Sequence, residues 1–195
     1  MKHLKMIGLA LVAAAAFMAF AGSASAAPTL TSPAGTAYTG TLTATASSSL
    51  LLKATFANVT CTSSTVSGTI STNNETHAAG NISTLSFSNC GTNDVTSLKN
   101  ADNTFGQLTV NQKGEVFGSN SRVTILNTTT GAHCIYGTTI NTKLGTLTGG
   151  KPATMTISAS LPYNAESKSS QFVCGSTGSW SGSYTVTVPG ELYVA

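Results

Sequence analysis

The stretch from Val59 to Gly91 decides the fold, opening V-T-C-T-S-S-T-V-S-G-T-I-S and closing G-N-I-S-T-L-S-F-S-N-C-G. Apolar residues alternate with Ser and Thr in both segments, and this period of two is typical of half-buried β-strands. Cys61 lies in the first segment and Cys90 in the second. The stretch therefore predicts a hairpin or strand pair that one disulfide can staple.

The same alternation continues on both sides of this stretch, and no helix is predicted after the N-terminal segment. Turns are predicted at 47–49, 72–80, 89–103, 144–152 and 163–171, with strands between them. Short strands at this spacing favour an all-β fold, and we expect an antiparallel β-sandwich, Ig-like or jelly-roll-like, stapled by disulfides. Residues 27–195 are expected to form a single domain.

Residues 1–26 have the three parts of a secretory signal peptide. Lys2 and Lys5 precede an apolar run over residues 7–21, and Ala24 and Ala26 form an Ala-x-Ala cleavage site. The alternative is a membrane anchor, but a span needs about 20 apolar residues and this run is shorter. We therefore expect cleavage after Ala26, a secreted or cell-surface protein and no transmembrane segment in the mature chain.

Charge is scarce. Charged residues make up 8% of the chain, against about 25% in ordinary soluble domains, whereas there are 33 threonines and 25 serines. The mature chain carries seven basic and six acidic residues, so no basic patch points to nucleic acid. Low net charge weakens repulsion between copies and favours self-association, and strand addition by residues 36–60 is one hypothesis for it.

Four cysteines, Cys61, Cys90, Cys134 and Cys174, all lie in the mature region. An even number in an exported chain indicates disulfides, and three pairings can be drawn. We favour Cys61–Cys90 with Cys134–Cys174, because each bridge then closes one half of the chain. A zinc site would need close pairs such as C-x-x-C, and the sequence has none.

Motifs for catalysis are not found, and no catalytic, cofactor-binding or metal residue is predicted. His77 lies in a polar loop, and His133 adjoins Cys134, which cannot be a nucleophile once oxidised. G-S-W-S-G (178–182) has Trp180 where a hydrolase elbow needs Ser. G-T-L-T-G-G-K (145–151) is followed by Pro152 where a phosphate-binding loop needs Ser or Thr, which makes it a turn.

The acidic and aromatic residues predict no catalytic site either. The six acids are scattered, and each is more simply a solvated surface side chain than half of a catalytic pair. Phe56, Phe87, Trp180 and Tyr184 alternate along strands and are expected in the core. The tyrosines expected at the surface, where a sugar or hydrocarbon can reach them, are Tyr38, Tyr136, Tyr163 and Tyr193.

Several segments resemble secreted bacterial proteins of the "protein activator of alkane oxidation" family. They are C-T-S-S-T-V-S-G-T-I (61–70), G-N-I-S-T-L-S-F-S-N-C-G (80–91), C-I-Y-G-T-T (134–139), L-G-T-L-T-G-G (144–150) and S-W-S-G-S-Y-T-V-T-V-P-G-E-L-Y-V (179–194). The resemblance implies a small exported β protein that assists growth on hydrophobic substrates or belongs to the extracellular matrix. It supplies no catalytic residue.

Three functions follow as hypotheses. The first is a non-enzymatic secreted or surface protein, a matrix, biofilm or adhesin-like component, or an accessory to alkane use. The second is an amphiphilic binding module for alkane, lipid or glycan ligands, which requires an exposed apolar patch or a formed pocket. The third, an enzyme, requires Asp or Glu together with His in one cleft.

Overall fold

The computed structural model describes residues 27–195, so the predicted signal peptide, 1–26, lies outside the described residues. The elements are β1 (Leu30–Thr31), β2 (Gly40–Ala46), β3 (Leu50–Ala54), β4 (Ala57–Cys61), β5 (Ser63–Asn73), β6 (His77–Ser88), β7 (Asn93–Leu98), β8 (Gln107–Asn111), β9 (Glu115–Ser119), β10 (Arg122–Asn127), β11 (His133–Gly137), β12 (Thr142–Thr148), β13 (Thr154–Pro162), α1 (Gln171–Cys174), β14 (Thr177–Val188) and β15 (Tyr193–Val194).

Eight strands close into an antiparallel barrel. Their order is β2-β5-β6-β8-β9-β12-β13-β14, and β14 pairs with β2 to complete the circle. The all-β prediction is confirmed, but the sandwich is not, because β13 pairs with β14 along nine residue pairs and closes the large sheet on itself. Closure leaves the wall of the barrel without a free edge.

Alternation along each strand sends one set of side chains into the barrel. In β13, Met155, Ile157 and Ala159 are buried while the intervening Thr and Ser residues are exposed. In β14, Trp180 and Tyr184 point inward at the same period of two. The outer face of the barrel is therefore polar although the chain has few charged residues, because hydroxyl side chains occupy the outward positions.

Two glycines allow the barrel wall to bend where strands lie unusually close. A Cβ at Gly145 would lie 1.9 Å from the carbonyl oxygen of Thr156, and one at Gly80 would lie 2.1 Å from that of Thr69. Gly145 also lies at a register shift between β9 and β12. Close approach of backbones at bulges is a common reason for glycine within a strand.

One end of the barrel is covered by the two ends of the described chain. β1 pairs with β15. The backbone of Thr29 is hydrogen-bonded to Asn74 in the β5–β6 turn, and that of Leu192 is hydrogen-bonded to Gly150 in the β12–β13 turn. Leu30 and Leu192 are fully buried there. We call this the ribbon end.

The opposite end is covered by a three-stranded antiparallel sheet in the order β7-β10-β11. Its Val123 and Tyr136 line the same apolar cavity as Ile157 and Trp180 of the barrel. The connections 99–106, 120–121, 138–141 and 163–176 all lie at this end, which we call the loop end.

The opening stretch, 59–91, forms the expected hairpin of β5 and β6. Ser63 pairs with Ser88 at its base, beside the Cys61–Cys90 disulfide. The turn covers only 74–76, so the polar loop predicted over 72–80 is too long. Asn74 Oδ1 shortens it by accepting hydrogen bonds from the backbone N–H groups of Thr76 and His77.

Other element boundaries also differ from prediction. The turn predicted over 89–103 contains β7, and that predicted over 144–152 contains most of β12. Residues 138–141, predicted as a strand, form the β11–β12 turn, in which Asn141 takes a positive φ of 57°. The 163–171 loop leads into one helical turn, α1, which the sequence did not predict.

The N-terminal strands are mostly unavailable for the predicted strand addition by residues 36–60. β2 is hydrogen-bonded to β5 on one side and β14 on the other, inside the wall of the barrel. Within 36–60 the strand at the end of the large sheet is β4, which pairs with β3 alone. Any strand addition by this segment therefore involves β4.

Of the four aromatic side chains expected in the core, Trp180 and Tyr184 are buried, and Phe56 and Phe87 are partly buried and pack against it. Trp180 packs edge-to-face against Phe87, with ring centroids 5.9 Å apart, and against Tyr184 at 6.1 Å. Tyr136, expected at the surface, is buried instead.

Two buried tyrosines predict a delayed alkaline titration. Burial raises the pKa of Tyr136 to about 12, with Tyr163 nearby adding to the shift. Burial also raises the pKa of Tyr184, although a 2.9 Å hydrogen bond with Ser64 opposes the rise. A raised phenol pKa stabilises the folded state below pH about 10, and this contribution is lost as the pH rises towards 12.

We therefore expect two of the five tyrosines to ionise only as the barrel unfolds in alkali. Tyrosinate absorbance and far-UV circular dichroism, recorded on the same samples, measure this directly. Tyr136→Phe should remove one of the late-ionising groups. Reversible ionisation of all five tyrosines with the circular dichroism unchanged would contradict the burial of these two phenols.

Candidate functional site

A polar groove lies at the loop end, with a volume of about 600 Å³. It is bordered by the β7–β8, β9–β10 and β11–β12 connections and by the segment that follows β13. The lining residues are Asn100, Ala101, Asp102, Asn120, Arg122, Gly137, Thr138, Thr139, Pro162, Tyr163, Asn164 and Glu166. A mouth of a barrel is a frequent place for a ligand site.

Arg122, the first residue of β10, joins the walls of the groove. Its Nη1 donates to Glu166 Oε2 at 2.5 Å, and its Nη2 donates to the carbonyl oxygen of Lys99 at 3.1 Å. Asn100 Oδ1 lies a further 3.4 Å from Nη2. The guanidinium is thus held in one plane by groups from two separate connections, and its charge is balanced by Glu166.

The wall opposite β10 is fixed by hydrogen bonds within the segment after β13. Asn164 Oδ1 accepts from the backbone N–H of Glu166 at 2.8 Å, and Tyr163 Oη donates to the carbonyl oxygen of Ser169 at 3.1 Å. Asn164 also donates its backbone N–H to Ile135 of β11. The side chains on this wall are therefore ordered before any ligand arrives.

Asp102 supplies the second carboxylate of the groove. Its Oδ1 accepts hydrogen bonds from the hydroxyl and the backbone N–H of Thr104, at 2.7 and 3.0 Å. These bonds lower the pKa of Asp102. A carboxylate stabilised in its charged form is suited to accepting hydrogen bonds and poorly suited to acting as a general acid at neutral pH.

An apolar cavity lies beneath the groove, inside the barrel, with a volume of about 30 Å³. Arg122 and Thr138 line both the cavity and the groove, so they separate the two. A cavity of this size holds a water molecule or two, whereas pockets for drug-sized ligands measure about 300–1,000 Å³. The interior is therefore filled by its own side chains.

Exposed hydrophobic side chains concentrate at the loop end. Four large ones are exposed among residues 27–195: Phe172 (94%), Ile140 (81%), Val188 (45%) and Val173 (39%). Phe172 and Val173 lie in α1, and Ile140 lies in the β11–β12 turn beside Thr139 of the groove. Val188 ends β14 and lies towards the ribbon end.

The turn that carries Phe172 is held in place by the second disulfide. Cys174 bonds to Cys134 of β11, and its carbonyl oxygen accepts a hydrogen bond from the phenol of Tyr136. Ser169 and His133 exchange two further hydrogen bonds, at 2.9 and 3.0 Å. Phe172 is therefore extended into solvent from a fixed base.

The four cysteines form the favoured pairing, Cys61–Cys90 and Cys134–Cys174, and the described residues contain no free cysteine. Two disulfides indicate folding in an oxidising compartment.

His77 follows the β5–β6 turn at the ribbon end, and His133 lies on β11, outside the groove. Neither histidine lines the groove, so the groove does not combine a carboxylate with a histidine.

The two near-motifs have structural roles. Residues 178–182 belong to β14, with Trp180 directed into the barrel. Residues 145–148 belong to β12, and the turn after them leads into β13 instead of a helix. Between residues 27 and 195, no group of three or more metal-binding side chains comes together, and no helix is long and apolar enough to cross a membrane.

Sequence reasoning did not single out Arg122, the residue that holds the groove together. Its partner Glu166 is 44 residues away, in another connection, and only the closed barrel brings the two together. The available signal was weaker: the Asn- and Asp-rich segment 89–103 and the charged segment 163–171 were both recognised as polar.

Comparison with known proteins found no relative: no family model, curated protein or solved structure matches this chain.

Proposed function

We propose that this chain is a secreted or cell-surface, non-enzymatic protein that attaches to hydrophobic surfaces through its loop end. Such attachment suits a matrix, biofilm or adhesin-like component, or an accessory to growth on water-insoluble substrates such as alkanes. The observation that carries the proposal is the position of Phe172, 94% exposed on a disulfide-bonded turn.

Exposure of a phenylalanine on a rigid turn favours a role in contact with something outside the chain. An exposed aromatic ring gains about 1.5–3 kcal/mol when it leaves water for an apolar phase. A turn that is already ordered loses little conformational entropy when it makes that contact. Ile140 and Val173 are further exposed apolar side chains at the same end of the barrel.

The polar remainder of the surface supports attachment by one end. The outward positions of β13 are Thr and Ser, and those of β5 and β6 are mostly Ser, Thr and Asn. These residues keep the barrel wall in water while the loop end contacts the apolar phase. The small internal cavity also favours contact at the surface over storage of a hydrocarbon inside the barrel.

The proposal is non-enzymatic because the two carboxylates of the groove are already engaged. Glu166 pairs with Arg122, and Asp102 is bound by Thr104. Hydrolysis of a glycosidic bond would need one carboxyl group to be a protonated acid, and the hydrogen bonds from Thr104 lower the pKa of Asp102 and so disfavour its neutral form. Self-association remains a prediction from the low net charge. If copies of the chain associate by strand addition, β4 is the strand within 36–60 that can pair with another copy, because it lies at the end of the large sheet.

Partition between buffer and emulsified hexadecane tests the proposal. We expect the oxidised mature protein to adsorb to the droplets, and we expect Phe172→Ser to weaken adsorption by about tenfold or more, the factor that loss of 1.4 kcal/mol or more produces. Depletion of protein from the aqueous phase, measured over a range of droplet areas, gives the partition constant.

Val188→Ser is the matched control, because it also removes an exposed apolar side chain, and Val188 lies away from the loop end. It should adsorb as the parent protein does. Equal adsorption of all three proteins, or weaker adsorption by Val188→Ser than by Phe172→Ser, would contradict attachment through the loop end.

A further inference from the structure

The polar groove is a second feature of the loop end, and attachment by Phe172 makes no use of it. Its volume of about 600 Å³ accommodates one or two sugar rings. Nine of its twelve lining residues have side chains that donate or accept hydrogen bonds. The groove therefore calls for a polar ligand.

Charge narrows the class of ligand. The one cationic side chain in the lining, Arg122, is paired with Glu166 at 2.5 Å, and Asp102 adds a second carboxylate. The lining residues together carry one net negative charge, so phosphate, sulfate and nucleic acid are poorly suited to the groove. A neutral ligand that both donates and accepts hydrogen bonds suits it better.

Several hydrogen-bonding atoms of the groove have no partner within residues 27–195. They are Asp102 Oδ2, Glu166 Oε1, Asn164 Nδ2 and the side-chain amide of Asn120, while the other atoms of the first three side chains are engaged. The carboxylate oxygens accept from hydroxyl groups, and the amide nitrogens donate to hydroxyl oxygens. Hydroxyl groups on adjacent carbons of a ring present this combination.

The groove also has an apolar surface, formed by the ring of Tyr163 and by Pro162. The phenol hydrogen bond to Ser169 fixes the orientation of the Tyr163 ring, which is half-buried. A pyranose has one face of C–H groups and a rim of hydroxyl groups, so a fixed aromatic ring beside carboxylates and amides matches both of its surfaces. An aliphatic chain would leave the polar groups of the groove unpaired.

We propose that this groove binds a neutral, pyranose-containing glycan, with Asp102, Glu166 and Asn164 hydrogen-bonded to ring hydroxyl groups beside Tyr163. The same chemistry is offered by a free oligosaccharide and by a sugar unit within a polysaccharide. Glycan binding is independent of the attachment of Phe172 to an apolar phase, since the two use different residues.

Titration calorimetry of the full mature protein with neutral di- and trisaccharides of glucose, galactose and mannose tests this inference. We expect at least one to bind, and we expect Glu166→Gln to weaken its binding by about tenfold or more, because a charged acceptor is lost. Asp102→Asn should also weaken binding and leaves Arg122 paired, so it covers the case in which Glu166→Gln disturbs the fold. Glu75→Gln, at the ribbon end, is the matched control and should bind as the parent does.

Three results would overturn the inference. One is that no saccharide of the panel binds. Another is that a saccharide binds equally well to the parent, Glu166→Gln and Asp102→Asn. The third is that inorganic phosphate binds in preference to the sugars. Hexadecane adsorption measured on the same variants should be unchanged, which distinguishes failure of the groove from failure of attachment by the loop end.

Discussion

Trp180→Ala should destabilise the barrel by about 4 kcal/mol, within the range of about 3–5 kcal/mol measured for loss of a buried tryptophan or phenylalanine. Trp180 is buried on β14 and packs edge-to-face against Phe87 and Tyr184. It also lines the apolar cavity, so removing the indole enlarges a void that already exists. A closed barrel cannot collapse into that void without breaking a pair of neighbouring strands, which keeps the cost above the minimum of the range.

Urea unfolding followed by far-UV circular dichroism measures the change, since Trp180 is the only tryptophan and its fluorescence disappears with it. Trp180→Phe keeps an aromatic ring in place and should cost about 1–2 kcal/mol. Phe172→Ala, which removes an exposed ring, should leave the free energy of unfolding unchanged. A loss below about 1 kcal/mol for Trp180→Ala would show that this side chain is not part of a close-packed core.

The inward position of Trp180 was predictable, whereas the closure of the barrel was not. Alternation with period two identifies which face of β14 is buried, and that face looks the same in a sandwich and in a barrel. Closure depends on the pairings of β14 with β13 and β2, and β2 lies about 140 residues before its partner in the chain. Nothing in the local sequence of either strand specifies that pairing.

The burial of Tyr136 shows a second limit of alternation. β11 is buried on both faces, because the barrel lies on one side and the segment after β13 lies on the other, pinned by the Cys134–Cys174 bridge and the hydrogen bonds of Ser167 and Ser169. Its sequence, H-C-I-Y-G, therefore contains consecutive apolar residues, and periodicity cannot say which of them faces outward. The cysteine was the useful signal, because a disulfide fixes nearby chain against the strand.

The groove was hidden from sequence analysis for a related reason. Asp102, Arg122 and Glu166 were each a single charged residue in a polar surrounding, and a solvated position was the simplest interpretation for every acid. They form one site because the connections 99–106 and 163–176 both emerge at the loop end, where β7-β10-β11 covers the barrel. Polar composition identified the connections, but three-dimensional closure brought their side chains together.

In the proposed function, the barrel acts as the support and the loop end makes the contacts. Backbone pairing around the closed wall supplies a rigid support, and Phe172, Ile140 and the groove are carried on connections that such a support can hold. The two disulfides differ in the same respect. Cys61–Cys90 joins the base of the β5–β6 hairpin to β4, whereas Cys134–Cys174 fixes the turn that presents Phe172.

Removal of either disulfide should therefore cost similar stability but have different effects on attachment. The bridges span 29 and 40 residues, and the chain-entropy relation assigns each about 3–4 kcal/mol at these lengths. Cys61→Ala/Cys90→Ala should lower the free energy of unfolding by that amount and leave hexadecane adsorption of the folded protein unchanged. Alanine is chosen because the four sulfurs are buried and a serine hydroxyl would lack a partner.

Cys134→Ala/Cys174→Ala should lower the free energy of unfolding by a similar amount. It should also weaken adsorption to hexadecane, because the α1 turn loses its covalent attachment to β11 and no longer holds Phe172 in a fixed position. Urea unfolding under oxidising conditions gives the first quantity, and the partition constant below the unfolding transition gives the second. If both double variants adsorbed equally to hexadecane, the rigidity of the α1 turn would not matter for attachment. Phe172 would then contribute only through its exposed ring, whether or not the disulfide is present. A selective loss in Cys134→Ala/Cys174→Ala would assign to this bridge a role in function that Cys61–Cys90 does not share.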